Sequence, residues 1–193
     1  MYIQRTAESR LLGLLGGRKV VIVLGARQVG KTTLVQRVLA GRKVVSLNFD
    51  IEIDKLRFQA AASLSPADAL QSLGNPEYLV LDEAQRLPET GRVVKGWYDD
   101  KLPVKILLLG SSSLELLNHA VESLTGRNEK LFLPPLLFDE VIRSRDWCPE
   151  TMPLSDISRL FQEPVHTCLL QSLAFGGYPE VVTSIDKPAL LRN

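Results

Sequence analysis

Short apolar runs alternate with stretches of helical period along the first two thirds of the chain. Five runs read as strands, at 19–24, 44–49, 78–81, 104–109 and 130–133; each is short and rich in Val, Leu or aromatic residues. The first, Val20-Val21-Ile22-Val23-Leu24, is apolar at every position, as in a strand covered on both faces. Between the runs, Ile3, Ala7, Leu11, Leu14 and Leu15 share one face of a helix over 3–15, with Arg5, Glu8 and Arg10 elsewhere and Gly16-Gly17 as its stop. Leu34, Val35, Val38 and Leu39 set a second helix before Gly41, a third helical region follows Asp50 through Leu56, Phe58 and Ala60 to Ala62, and Ser65-Pro66 opens a fourth with Ser65 as N-cap. Strands alternating with helices predict βαβ crossovers, hence an α/β fold with a parallel five-stranded sheet and helices on both faces. Ligands then bind at the carboxyl ends of the strands.

From Pro134-Pro135 the pattern changes to short helices, at 136–145, 155–161 and 164–175. Pro164 interrupts the apolar stripe from Ile157 to Leu173, which predicts two helices there rather than one. The chain thus divides into a core over 1–133, a helical appendage or lid over 134–175, and a turn cluster, Gly176-Gly177-Tyr178-Pro179-Glu180, opening a final segment over 176–193.

Composition narrows the function classes. With 193 residues, 45% of them hydrophobic, the chain can bury one full core and a modest appendage. Lys+Arg 23 against Asp+Glu 22 gives a net charge of +1, so no global field recruits nucleic acid or an anionic membrane. No signal-like apolar stretch and no run approaching the roughly 20 apolar residues of a membrane span is present, which predicts a cytoplasmic chain without a membrane partner. Cys148 and Cys168 stand apart, outside any metal-ligand or C-x-x-C spacing, and read as free thiols. His119 and His166 lie in helical segments without partner ligands.

The chemistry is concentrated at strand ends. The first strand runs into Gly25-Ala26-Arg27-Gln28-Val29-Gly30-Lys31-Thr32-Thr33, a complete G-x-x-x-x-G-K-[ST] phosphate loop. Gly25 and Gly30 let the backbone N–H groups face a phosphate, and the following helix presents its positive dipole end. Lys31 is placed to neutralise β- and γ-phosphates and the Thr32 hydroxyl to ligate Mg²⁺, while Arg27 and Gln28 project outward. The third strand leads into Asp82-Glu83. Adjacent acids at a buried strand end are costly unless a cation offsets them. Beside a phosphate loop, Asp82 reads as the Mg²⁺ carboxylate and Glu83 as the base for an attacking water, which favours hydrolysis over phosphoryl transfer to another substrate.

Three further positions carry open alternatives. Ser111, after the fourth strand, either contacts the γ-phosphate or the attacking water, or satisfies a turn, with Ser112 and Glu115 forming a capping box behind it. Arg127, in Thr125-Gly126-Arg127 before the fifth strand, is either a surface residue or, beside the nucleotide edge, an arginine finger. Asp50 reads first as a cap for the following helix and second as a nucleotide contact.

Taken together, Gly25 to Leu34, Leu81-Asp82-Glu83-Ala84-Gln85, Gly110-Ser111-Ser112-Ser113, Leu124-Thr125-Gly126-Arg127, Leu133-Pro134-Pro135-Leu136 with Glu140, and Gly176 to Glu180 resemble, in order, a bacterial and archaeal family of AAA+-type ATPases. The resemblance implies an ASCE-type P-loop NTPase core with an inserted catalytic strand between the first strand and its crossover partner. It implies ATP and Mg²⁺ held by Gly25, Gln28, Val29, Gly30, Lys31, Thr32, Thr33, Asp82 and Glu83, with Ser111 as sensor and Arg127 as finger or sensor arginine. Leu109 stands where the family often has Thr. Members usually continue into a further C-terminal domain of unknown function, often nuclease-like, and this chain stops where that region would begin.

Three functions follow as expectations. The first is Mg²⁺-dependent ATP hydrolysis that moves a protein client or a further domain, with homo-oligomerisation possible. The second is a nucleotide-gated interaction module with negligible turnover. The third is action on DNA, for which the sequence offers only Arg86, Arg92, Lys95 and Lys101 near Trp97-Tyr98. No N-K-x-D guanine-reading motif is present, and the resemblance points to adenine.

Overall fold

The computed structural model describes residues 2–111, 124–149, 151–184 and 186–187. The core comprises α1 (Ala7–Leu15), β1 (Val20–Gly25), α2 (Lys31–Val38), β2 (Val44–Asn48), α3 (Glu52–Ala62), α4 (Pro66–Ser72), β3 (Tyr78–Asp82), a 3₁₀ turn (Ala84–Arg86), α5 (Thr90–Asp99), β4 (Lys105–Ser111) and β5 (Asn128–Phe132). After it come α6 (Phe138–Arg143), α7 (Leu154–Leu160), α8 (Gln162–Phe175) and α9 (Pro179–Thr183). The five strands are all parallel, in the order β2-β3-β4-β1-β5. β4 therefore lies between the phosphate-loop strand and the strand carrying Asp82.

The alternation of side chains along β1 explains the two layers. Val20, Ile22 and Leu24 point into one apolar cluster with Phe49, Phe58 and Trp97, beneath α3 to α5. Val21 and Val23 point the other way, into a cluster with Leu11, Leu34 and Val35 beneath α1 and α2. In the first layer Phe58 stacks at 5.2 Å from Phe49 and 5.5 Å from Trp97, ring centroid to centroid.

The stop of α1 works differently from the glycine rule. Gly16 ends α1 in the right-handed region, φ −70°, rather than as a left-handed cap. The carbonyls are met from outside: Lys105 Nζ donates to Leu14 O at 2.7 Å, Gly17 O at 2.6 Å and Lys19 O at 2.6 Å. Burial holds this ammonium below the usual lysine value, with Glu129 acting in the opposite sense. Ser65 caps α4 as expected, accepting from Asp68 N at 3.3 Å.

Several boundaries differ from the sequence reading. α1 begins at Ala7, and Ile3 belongs to a separate small cluster with Leu136, Val141 and Val182. β3 and β4 run past the apolar residues to include Asp82 and Gly110-Ser111, because backbone pairing continues where hydrophobicity ends. Pro164 falls in the first turn of α8, where its missing N–H costs nothing, and two helices form there. α6 to α8 enclose their own cluster of Ile142, Cys148 and Ile157 with Trp147 and Phe161. Ser112, Glu115 and His119 lie outside the described residues. Among the described residues no helix is long and apolar enough to cross a membrane.

The glycine cluster after α8 is stitched to the Pro134-Pro135 turn. Leu136 N donates to Gly177 O at 2.7 Å, and a Cβ at Gly177 would stand 2.5 Å from Leu136 O. Gly177→Ala must push these two backbones apart, and the expected loss is about 1–3 kcal/mol, checked by thermal or urea unfolding.

Candidate active site

The phosphate loop is built by the backbone. Gln28 and Gly30 adopt positive φ, 62° and 94°, and Gly30 is the N-cap of α2. Val29 turns its side chain fully into the core, so its contribution to a ligand is main chain only, while Arg27 and Gln28 are exposed. Any Cβ at Gly25 would collide with Leu133 O. Thr33 is exposed on the first turn of α2. Lys31 is buried at 6% exposure and folds back to donate to Gly25 O at 3.1 Å and Ala26 O at 2.9 Å. Burial holds its ammonium below the ordinary lysine value, and the carboxylates of Glu83 and Asp82 oppose that shift.

The acids meet the loop across β4. Gly25 is level with Ser111, and Leu81 with Leu108, so Asp82 sits two residues below the loop in the strand direction. From α2, Thr32 Oγ1 donates to Asp82 Oδ2 at 2.6 Å. The other oxygen, Asp82 Oδ1, accepts from Glu83 N at 2.9 Å. Glu83 itself takes the left-handed backbone region, φ 51°, unusual for a residue with a side chain. Gln85 Nε2 donates to Glu83 Oε2. The hydroxyl of Thr32 and the carboxylate of Asp82 form a pair of hard oxygen donors, the type that holds Mg²⁺.

The structure brings Gly25, Gly30, Lys31, Thr32, Asp82, Glu83 and Ser111 to one edge, and does not bring Arg127 there. Arg127 precedes β5, so it lies at the amino ends of the strands: its carbonyl accepts from Val20 N at 2.9 Å. With five residue steps along β1 from Val20 to Gly25 at about 3.3 Å each, it stands roughly 16 Å from its own loop. There it pairs with Asp99, Nε to Oδ1 at 2.7 Å and Nη2 to Oδ2 at 3.1 Å, and that hydrogen bonding holds the Asp99 carboxyl below its usual value. The placement of Arg127 beside the nucleotide edge is thereby corrected. The capping role read for Asp50 is corrected too: Ile51 is the N-cap of α3, and Asp50 pairs with Arg86 at 3.0 Å.

Arg5, which has no functional role in the sequence reading, and an adjoining cleft complete the surroundings. Arg5 is buried, and its guanidinium donates to Val29 O in the loop at 3.0 Å, to Pro134 O at 2.6 Å and to Glu140 Oε2 at 3.0 Å. Beside the loop, Ile3, Leu136, Pro179, Gly30 and Thr33 line a cleft of about 180 Å³. Its lining is mostly apolar.

The comparisons agree with this architecture. A family model for the AAA domain matches residues 17–142. An uncharacterised protein of Mycobacterium tuberculosis is 35% identical over 162 residues, covering 81% of this chain and 35% of the relative. One of Methanocaldococcus jannaschii is 26% identical over 193 residues, covering 95% of this chain and 40% of the relative. The chain thus spans little more than a third of the length of these curated relatives. Among solved structures, a Walker-type ATPase of Pyrococcus abyssi superposes with TM-score 0.62 at 20% identity, over 100% of this chain and 68% of that one. The Orc1 protein of Aeropyrum pernix, solved in complex with DNA, gives 0.51 at 18% identity, over 100% and 62%. Both share the P-loop NTPase fold of a parallel sheet flanked by helices. The chain belongs to the AAA domain family and is an AAA+-type P-loop ATPase domain.

Proposed function

We propose that this chain hydrolyses ATP with Mg²⁺ and uses the turnover to move a partner or a further part of its own protein. The observation that carries the reading is the 2.6 Å hydrogen bond from Thr32 to Asp82, which joins the phosphate loop to the third strand across β4. Lys31 exchanges its two loop carbonyls for β- and γ-phosphate oxygens, Glu83 accepts the proton of the attacking water, and Ser111 contacts the γ-phosphate or that water. Thr32 and Asp82 would hold Mg²⁺, which would supply positive charge to the phosphate oxygens. The adenine occupies the cleft between Ile3, Leu136 and Pro179.

Arg127 belongs, in this reading, to the phosphates of a neighbouring copy, since its own are roughly 16 Å away. Turnover then depends on self-association. The test is ATP hydrolysis across a protein concentration series. Specific activity is expected to rise with concentration, to vanish in Lys31→Ala, and to fall about 10³–10⁵-fold in Arg127→Ala. Binding without turnover at every concentration instead supports the nucleotide-gated module, the second reading, which the distance of Arg127 from its own site favours for an isolated protomer. DNA action gains little: Trp97 is buried in the core and Tyr98 lies under Arg18 at 4.7 Å, so the pair presents no stacking platform.

A further inference from the structure

Gln85 is the residue that the site holds without a reason in the steps above. The 3₁₀ turn after Glu83, closed by Arg86 N donating to Glu83 O at 2.8 Å, folds the Gln85 side chain back toward the strand ends. A carboxylate can only accept, so the amide NH₂ must face Glu83 and the amide oxygen must face away from it. That oxygen, Gln85 Oε1, is buried and has no hydrogen-bond partner among the described residues. It rests against β4, where a Cβ at Gly110 would approach it to 2.7 Å. Gly110 immediately precedes Ser111, and pairs in register with Leu24 beside the phosphate loop. Asn48 at the end of β2 is occupied elsewhere, its Oδ1 accepting from Asp50 N at 2.9 Å.

We propose that Gln85 is a positioning residue for Glu83: wedged on Gly110, its amide fixes the orientation of the Glu83 carboxylate and ties that orientation to the end of β4. A buried amide needs its second partner, and in native proteins an unsatisfied buried polar atom marks a functional or solvent role. The missing Cβ at Gly110 makes room for the amide, and the left-handed backbone at Glu83 aims the carboxylate at it. The inference rests on Glu83 being the base for ATP hydrolysis. Displacing a reacting group by about an ångström costs on the order of 10²-fold in rate, so orientation alone carries a measurable effect.

The experiment measures kcat, KM and the affinity for a fluorescent ATP analogue in wild type, Gln85→Ala, Gly110→Ala and Glu83→Gln. Positioning predicts that Gln85→Ala lowers kcat roughly 10–100-fold with nucleotide affinity and melting temperature unchanged. Gly110→Ala, which pushes the same amide aside without removing it, gives the same kcat-selective loss. Adding Gln85→Ala to Glu83→Gln produces no further loss, because both act through one carboxylate. An unchanged or raised kcat in Gln85→Ala overturns the proposal while leaving the ATPase reading intact. So does a loss of affinity matching the loss of kcat. Should Gly110→Ala fail to fold, the Gln85→Ala and double-variant comparison decides alone. No wild-type turnover, or turnover surviving Glu83→Gln, overturns the ATPase reading and the positioning role with it.

Discussion

Glu83→Gln is expected to lower kcat for ATP hydrolysis by about 10²–10⁴-fold and to leave ATP binding intact. The substitution preserves shape and removes the proton acceptor. The backbone around Glu83 is held independently of its charge: its N–H donates to Asp82 Oδ1 at 2.9 Å and its carbonyl accepts from Arg86 N at 2.8 Å. Lys31, Thr32 and the loop N–H groups, to which the proposed function gives the nucleotide, do not depend on the Glu83 carboxylate for their placement. The variant therefore becomes an ATP trap, seen as stoichiometric binding of a fluorescent ATP analogue beside a lost single-turnover rate. Equal losses of binding and rate would assign Glu83 a structural role; an unchanged rate would require another base. The contrast with Lys31→Ala is instructive, since removing that ammonium takes away interactions made in the ground state and transition state alike.

The sheet and its working edge were legible because they rest on local signals. An all-apolar strand entering a glycine-bounded loop, and acids ending a second apolar run, state their chemistry within a few neighbouring residues. What escaped depends on topology or distance. The residues around Arg127 leave a surface position and a finger both open, and topology bears on the choice: a residue just before a strand of a parallel sheet lies at the edge opposite to one just after. Five runs joined by helical crossovers contain that fact. Arg5 was assigned to the polar face of α1 because charge on an amphipathic pattern reads as solvated; its partner Glu140 is 135 residues away. Asp50 fits a cap by residue type, but the N-cap of α3 falls one residue later, at Ile51, while Asp54 Oδ2 accepts from Asn48 N at 2.8 Å. Gln85 stood inside a quoted motif, and only the absence of a Cβ at Gly110 across the strand gives it a part.

Breaking the Arg5–Glu140 pair is expected to cost more than any surface ion pair of the chain. The side chains are 4% and 2% exposed, and Nε and Oε2 are 3.0 Å apart. Glu140 also accepts from Thr6 N at 2.7 Å, Thr6 Oγ1 at 2.9 Å and Leu137 N at 2.9 Å. Arg5→Met leaves this carboxylate buried without its cation, a loss of about 3–5 kcal/mol. At roughly 2–4 °C per kcal/mol for a chain of this size, the melting temperature falls by roughly 6–20 °C. Arg5→Met with Glu140→Leu removes both charges, and only part of the stability returns: the desolvation penalty is gone, but Thr6 N, Leu137 N, Val29 O and Pro134 O lose their partners. Nucleotide affinity separates stability from function. Arg5 donates to Val29 O, the carbonyl preceding Gly30, so both variants lose the strut under the phosphate loop. The double variant therefore melts above Arg5→Met while binding ATP more weakly than wild type. If it binds as tightly as wild type, Arg5 serves the fold alone, and the phosphate loop holds its shape through Gly30 and the buried side chain of Val29.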